Sequence, residues 1–194
     1  MKNLIVLICC LLAIFSCKEE DNSINNSMEN IFDMKSFVNQ EIANYEKSTC
    51  SIYKEGEVNG ESEQKSIPSK DFKWDKELKV LSNMDIRKSS WIDYIIIDTV
   101  FNEGNDSSYT VRYQTISPKI PIKRLEVSYL RSNPKKPIMI EAERSIDNWV
   151  FHSQQKIYYN CGTGLRAEGF QKVLWLKQKE FNITTIYNCK NESN

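Results

Sequence analysis

The feature that most constrains this fold is a succession of short β-favouring segments in the second half of the chain. After Trp91, six or more stretches rich in β-branched and aromatic residues follow one another with short polar connections. Short connections join strands that pair with their chain neighbours, so the sequence predicts an antiparallel meander. The predicted strands are centred on 94–97, 109–113, 125–129, 138–142, 149–159, 173–176 and 181–183.

Two helices are predicted before the strands. Apolar residues recur at spacings of three and four from Ile31 to Tyr45, which predicts a helix over about 34–48 with one buried face. Asp33 is the expected N-cap, and Phe32 and Phe37 have the spacing of a hydrophobic staple. A second helix is expected from about Ser69 or Asp71 to Leu81.

A β-hairpin is expected over residues 50–66, because Asn59-Gly60 is a strong signal for a two-residue turn. With that turn, Glu55 and Glu57 lie on the face opposite to the next two glutamates, Glu61 and Glu63. The four carboxylates therefore do not converge, and no metal site is predicted here.

The predicted architecture is α+β. Several strands alternate apolar and polar residues, which indicates a sheet with one covered face and one wet face. We expect the two N-terminal helices to pack on a curved antiparallel meander that approaches a half-barrel.

The first residues have the layout of a secretory signal. Lys2 precedes an apolar run from Leu4 to Ile14, too short to span a bilayer, and Ser16-Cys17 follows it. The stretch Ile14-Phe15-Ser16-Cys17 resembles the lipobox of bacterial lipoproteins, in which the cysteine is acylated and becomes the first mature residue. The resemblance implies a signal peptide over 1–16, a lipidated flexible tether over 17–30 and a single domain over 31–194.

The four residues after Cys17 are Lys18, Glu19, Glu20 and Asp21. This run resembles the export signal of surface-exposed lipoproteins in the Bacteroidota. The likeness to the small outer-membrane lipoproteins of that group is specific over residues 1–21. It implies a lipid-anchored protein of the outer membrane that faces the outside of the cell.

Three cysteines remain after lipidation of Cys17 and loss of the signal peptide, namely Cys50, Cys161 and Cys189. An oxidising envelope allows at most one disulfide among them. Cys161 and Cys189 both follow predicted strands and form the candidate pair.

Catalytic, metal-binding and cofactor motifs are not recognised in the sequence. His152 is the only histidine, and strand alternation places it on the solvent side with Gln154. A nucleophile pair of Cys161 and His152 is the least favoured hypothesis, since no third orienting residue accompanies it. The polar segment Asn102–Asp106 is interpreted as a hairpin turn.

Aromatic residues concentrate in the C-terminal strands. They are expected to form core beneath the helices, and the alternative is a cavity for an apolar ligand. The set consists of Trp149, Phe151, Tyr159, Phe170, Trp175 and Phe181.

Three functional hypotheses follow in order of preference. The first is a non-enzymatic binding or accessory lipoprotein that contacts the membrane through its anchor and a protein, glycan or apolar ligand through its domain. The second is a carrier or sensor of a hydrophobic ligand held in a half-barrel. A Cys161-dependent enzyme ranks third. With 26 basic and 26 acidic residues, the chain has no net charge that favours nucleic acid.

Overall fold

The computed structural model describes residues 28–101 and 107–190, and a β-sheet dominates it. The predicted signal peptide, Cys17, the motif at 18–21, most of the predicted tether and the turn expected at 102–106 lie outside the described residues. The helices are α1 (Met34–Glu46) and α2 (Trp74–Ser82), and 3₁₀ turns span Ser69–Asp71 and Ser89–Tyr94. The strands are β1 (Thr49–Val58), β2 (Glu61–Pro68), β3 (Ile95–Phe101), β4 (Ser108–Thr115), β5 (Ile122–Leu130), β6 (Asn133–Asp147), β7 (Phe151–Asn160), β8 (Gly164–Val173) and β9 (Lys179–Lys190).

The nine described strands form one open antiparallel sheet in the order β2-β1-β9-β8-β7-β6-β5-β4-β3. Strands β3 to β9 pair in chain order, so the predicted meander is confirmed. The N-terminal hairpin joins it at the far side, where β1 pairs with β9 from Thr49 to Val58. Strands β2 and β3 are the two edges, and no pairing between them closes the described part of the sheet.

Local signals set the start of α1. The Asp33 side chain accepts a hydrogen bond from the backbone N–H of Ser36 at 3.0 Å, which satisfies one of the free donors of the first turn. The rings of Phe32 and Phe37 lie 5.5 Å apart, as a hydrophobic staple requires. The predicted helix, N-cap and staple are confirmed, and the helix ends two residues earlier than expected.

The β1–β2 hairpin turns at Asn59 and Gly60, whose φ angles are +54° and +85°. Positive φ at both central positions is the conformation that Asn-Gly favours in two-residue hairpins. Glu55 pairs with Gln64 and Gly56 with Glu63, so the glutamates are divided between the two faces as predicted.

The second helical segment is shorter than expected. A 3₁₀ turn covers Ser69–Asp71, Phe72 is extended with ψ of 133°, and α2 begins only at Trp74. The cause is the extended backbone at Phe72 and Lys73, which interrupts the ladder of helical hydrogen bonds. Within α2, Trp74, Leu78 and Leu81 form the buried stripe.

One face of the sheet is apolar and the other is polar, which confirms the predicted alternation. Tyr113, Leu125, Ala142 and Ile157 lie side by side in four adjacent strands and are all buried. On the opposite face, Arg112 binds Glu126 at 2.6 Å, and further Arg–Glu pairs continue the row. Charged side chains thus cover the wet face across β4, β5 and β6.

The core combines residues of the helices and the apolar face. Phe37 of α1 meets the ring of Tyr159 with centroids 6.0 Å apart, and Trp74 of α2 meets Tyr187 at 5.0 Å. Both tyrosines are at most 2% exposed. Within the described residues, neither helix has the length and apolar character needed to cross a bilayer.

Candidate binding surface at the end of the sheet

Two loops meet at one end of the sheet and expose a continuous apolar surface. Phe151 at the start of β7 pairs with Val173 at the end of β8, which brings the β6–β7 and β8–β9 loops together. The backbone N–H of Leu174 donates to the carbonyl of Val150 at 2.7 Å and joins the loops directly. We call this surface the tryptophan tip, and it consists of Trp149, Val150, Val173, Leu174, Trp175 and Leu176.

The β6–β7 loop is closed by Asn148. Its side-chain oxygen accepts hydrogen bonds from the backbone N–H groups of Val150 at 3.1 Å and Phe151 at 2.9 Å. The backbone N–H of Asn148 donates to the Phe151 carbonyl. Asn is favoured in turns because its side chain can replace such backbone partners. The turn leaves the Trp149 side chain 80% exposed.

The β8–β9 loop contains a strained residue. The backbone N–H of Leu176 donates to the Val173 carbonyl at 2.9 Å, and Trp175 has a φ of +73°. This is the third position of a type II turn, where glycine or asparagine normally sits. A bulky residue there costs roughly 1–2 kcal/mol, and yet the Trp175 side chain is 93% exposed. The strain therefore serves no packing that would offset it.

The whole β8–β9 hairpin end projects into solvent. Every residue from Gln171 to Glu180 is exposed, as are Asp147 to Val150 of the neighbouring loop. Six large apolar side chains in contact with water on two adjoining loops form a patch of the kind that marks interaction sites on soluble domains.

The tip contradicts two predictions. Residues 173–176 were expected to form a strand, whereas β8 ends at Val173 and the rest is an exposed turn. Trp149 and Trp175 were expected in the core, which is wrong because both belong to loops and are exposed to solvent. Of the other four aromatics, Tyr159 is fully buried, whereas Phe151, Phe170 and Phe181 are half-buried.

One signal in the sequence could have indicated the tip. Lys172 and Lys177 directly flank the apolar run at 173–176, and Asp147-Asn148 precedes Trp149. Charged residues at both ends of a four-residue apolar run fit a loop as well as a strand. Length alone could not separate the two, because strands of four residues also occur.

A cavity lined by the C-terminal aromatics is not formed in the described part of the chain. Phe170 and Phe181 border a depression of about 280 Å³, but they share it with the polar side chains of Glu57, Asn59 and Glu180. The tryptophans of the tip point elsewhere and do not line it.

The disulfide differs from the predicted one. Cys189 is bonded to Cys50, which stands directly opposite it in the β1–β9 pairing with a Cα–Cα distance of 4.0 Å, and Cys161 is free. The pair of Cys161 and Cys189 is therefore wrong. Both do lie at one end of the sheet as expected, where they border a common depression of about 490 Å³. Because β1 pairs with β9, Cys50 lies nearer to Cys189 than Cys161 does.

The free thiol of Cys161 is poorly placed for nucleophilic chemistry. Burial raises its pKa to about 12, and the charge of Glu41 adds to the rise, although Lys136 opposes it. The thiolate is the reactive form of cysteine, so this side chain stays protonated and inert near neutral pH.

His152 cannot assist Cys161. His152 lies near the start of β7 and Cys161 follows its end. Their nine-position separation corresponds to about 30 Å along an extended strand. The imidazole Nδ1 lies 2.5 Å from Asp147 Oδ1 across the β6–β7 pairing, and about half of its side chain is exposed. The hypothesis of a Cys161–His152 pair is therefore wrong in its geometry.

A buried polar network lies beside Cys161. The Tyr159 hydroxyl donates to Glu41 at 2.5 Å and is 2.9 Å from the Tyr45 hydroxyl, which accepts the backbone N–H of Gly162 at 3.1 Å. Burial, together with the nearby Tyr45 and Glu41, raises the pKa of Tyr159 far above its ordinary value. These contacts fasten α1 to the β7–β8 turn, so their role is structural.

Within residues 28–101 and 107–190, His, Cys, Asp and Glu side chains are not grouped in threes as ligands of a metal ion. No protein-family model, curated protein or solved structure matches this chain.

Proposed function

We propose that this protein is a lipid-anchored, surface-exposed and non-enzymatic binding or accessory protein of the bacterial outer membrane, and that the tryptophan tip is its binding surface. The anchor rests on the resemblance of Ile14–Cys17 to a lipobox and of Lys18–Asp21 to a surface-export signal. The observation that carries the binding role is the exposure of two indoles on adjoining loops, at 80% for Trp149 and 93% for Trp175.

The energetics favour a partner for the tip. An indole buries about 200 Å² when covered, which at about 25 cal/mol per Å² gives an upper limit of roughly 5 kcal/mol for each ring before the costs of association are subtracted. Tryptophan is also the residue most enriched among the side chains that dominate binding energies at interfaces. A partner that covers both rings therefore gains substantial free energy from very few residues.

The backbone supports the same conclusion. Trp175 keeps a conformation that disfavours bulky residues, and strained conformations concentrate at functional sites where the surrounding structure holds them. Here the hydrogen bonds of Leu174 and Leu176 hold the turn on both sides. The tip is therefore presented in a fixed shape before any partner arrives, which lowers the entropic cost of binding.

The detailed architecture belongs to the same proposal. We propose that α1 and α2 cover the apolar face of a curved, half-barrel-like sheet, which leaves the loops at the far end free to act. The ring contacts of Phe37 with Tyr159 and of Trp74 with Tyr187 support this arrangement.

The anchor is tested by producing the full chain in a Bacteroidota host. Metabolic labelling with a palmitate analogue should mark the wild type, and a Cys17→Ala variant should lose the label. Added protease should digest the protein on intact cells. Absence of label, or full protection from protease, would contradict the anchor or the surface location respectively.

The binding surface is tested by hydroxyl-radical footprinting of the same protein. Trp149 and Trp175 should be oxidised in the purified protein and protected on intact cells. Exposed Tyr94 ends the 3₁₀ turn before β3, and three strands separate β3 from β7 in the sheet. It serves as the control and should be oxidised equally in both samples. Equal oxidation of the two tryptophans in both samples would show that nothing covers the tip.

A further inference from the structure

We propose that the surface bound by the tryptophan tip is the anionic interface of a lipid bilayer, so that the domain contacts the membrane at a second place besides its anchor. This inference rests on the proposed lipid anchor and on the proposed role of the tip. It is carried by the combination of indoles, aliphatic side chains and lysines on the two loops.

The apolar part of the tip has the composition of a membrane-interface contact. Trp149 and Trp175 are amphipathic rings of the type that accumulates at the level of lipid headgroups. Leu174 and Leu176 flank Trp175 within the same exposed turn. Aliphatic side chains beside an indole can enter the boundary between headgroups and acyl chains while the indole N–H stays at the polar level.

The charged part of the tip favours anionic headgroups. Lys172, Lys177 and Lys179 flank the turn, are exposed, and form no ion pair with a described residue. Asp147 and Glu180 are the acidic side chains of the two loops, where Asp147 contacts His152 and Glu180 accepts a hydrogen bond from Gln178 at 2.8 Å. Three lysines therefore stand against two carboxylates, so the net charge beside the apolar surface is positive, and lysines near an anionic bilayer strengthen binding.

The position of the tip allows simultaneous contact through the anchor. The Tyr113 hydroxyl contacts the backbone of Phe32 near the start of the domain, in the same cross-strand row as Ile157. From that row, the start of β7 at Phe151 is about 20 Å away along the strands, and three strand spacings add about 14 Å sideways. The segment from Cys17 to Met28 can span up to about 40 Å when extended. The lipid on Cys17 and the tip can thus reach one membrane plane.

The shape of the hairpin end is suited to insertion rather than to a flat protein interface. All residues from Gln171 to Glu180 are exposed on both sides of the hairpin, so no neighbouring wall shields the indoles. Membrane contact needs only a protruding apolar end, whereas protein hot spots are usually surrounded by a ring of contacts that excludes water.

The experiment uses the mature lipoprotein inserted into vesicles of phosphatidylcholine and phosphatidylglycerol, with part of the phosphatidylcholine brominated on its acyl chains. Bromine quenches nearby indoles. Emission should fall by about half, because two of the four tryptophans lie in the tip and the other two, Trp74 and Trp91, lie at the helix side. A Trp149→Phe, Trp175→Phe double variant should lose this quenching.

The lysines are tested in the same vesicles. Replacement of Lys172, Lys177 and Lys179 by glutamine should reduce quenching to the level seen in vesicles of phosphatidylcholine alone. A matched triple variant at the exposed Lys65, Lys70 and Lys76, which lie outside the tip, should behave as the wild type. Equal loss in both triple variants would overturn the specific role of the tip lysines.

The outcomes separate this inference from the proposed function. In the vesicle-anchored protein, tip tryptophans that are not quenched by bromine and are quenched by acrylamide in the solvent would overturn the membrane contact. If the same residues are nevertheless protected on intact cells, the tip binds another partner and the proposed function stands. A protein without acyl chains on Cys17 would instead overturn the anchor.

Discussion

Leu174 and Val150, which belong to different hairpins, share a backbone hydrogen bond of 2.7 Å that holds the two loops of the tryptophan tip side by side. The bond extends the β7–β8 pairing past its last strand residues, Phe151 and Val173. Trp149 and Trp175 therefore depend on one continuous backbone framework, although 25 residues separate them in the sequence.

Substitution of Trp175 should reveal the strain of its turn. Trp175→Gly and Trp175→Ala both remove the exposed ring, but only glycine accepts a φ of +73° without cost. The glycine variant should be more stable than the alanine variant by about 1 kcal/mol. Urea unfolding measures the difference. An alanine variant that equals or exceeds the glycine variant would show that the turn relaxes when the ring is removed.

Removal of the Cys50–Cys189 bridge should destabilise the domain strongly. The bridge closes a loop with a sequence separation of 139, so Cys50→Ser should lower the free energy of unfolding by about 2–5 kcal/mol. Cys161→Ser is the control. It should unfold at the same urea midpoint as the wild type with its disulfide intact, because Cys161 is free. Disulfide mapping of both variants completes the test, and a bridge to Cys161 in the wild type would contradict the assignment.

Tyr159→Phe should break the network that fastens α1 to the β7–β8 turn. The substitution removes the donor to Glu41 and the contact with the Tyr45 hydroxyl in a buried site. A cost of about 2 kcal/mol is expected from loss of a hydrogen bond to a charged group. Tyr158→Phe, one residue earlier on the opposite face, should change the urea midpoint little. Equal effects of the two variants would argue against the network.

Acid should weaken the N-terminus of α1. Burial alone would raise the pKa of Asp33, but hydrogen bonds from Ser36 and the charge of Arg87 outweigh it and lower that pKa below 3.8. A carboxyl group with a lowered folded-state pKa stabilises the fold at pH values above its unfolded-state pKa. That contribution is lost as the pH falls through the folded value.

Asp33→Asn provides the matched comparison, because asparagine keeps the N-cap but does not titrate. The wild type should lose more stability than this variant between pH 6 and pH 2, as followed by urea unfolding at each pH. Parallel pH curves for the two proteins would show that Asp33 does not contribute. Asp33→Ala should in addition cost about 1 kcal/mol at neutral pH through loss of the cap.

Features that depend on a few neighbouring residues could be predicted from the sequence. The Asp33 cap, the contact of Phe32 with Phe37 and the Asn59-Gly60 turn each involve residues at most five positions apart. The meander from β3 to β9 was also predictable, because each strand pairs with the next one along the chain.

Features that depend on distant pairing or on strain could not be predicted. Cys50 meets Cys189 only because β1 joins the sheet beside β9, and no local pattern specifies that neighbour. The turn at Trp175 lacks the glycine that normally marks a positive φ. Its apolar residues therefore matched the pattern of a buried strand, and the candidate binding surface was missed.

The pairing of β1 with β9 has a consequence for how the chain acquires its structure. Strand β1 pairs with β9, the last strand of the described sheet. When the chain emerges amino end first, β1 cannot pair with β9 until β9 has also emerged. Contacts between such distant segments form slowly. Delayed completion leaves the sheet open while the chain emerges, which suits the passage through a narrow channel that the proposed export would require.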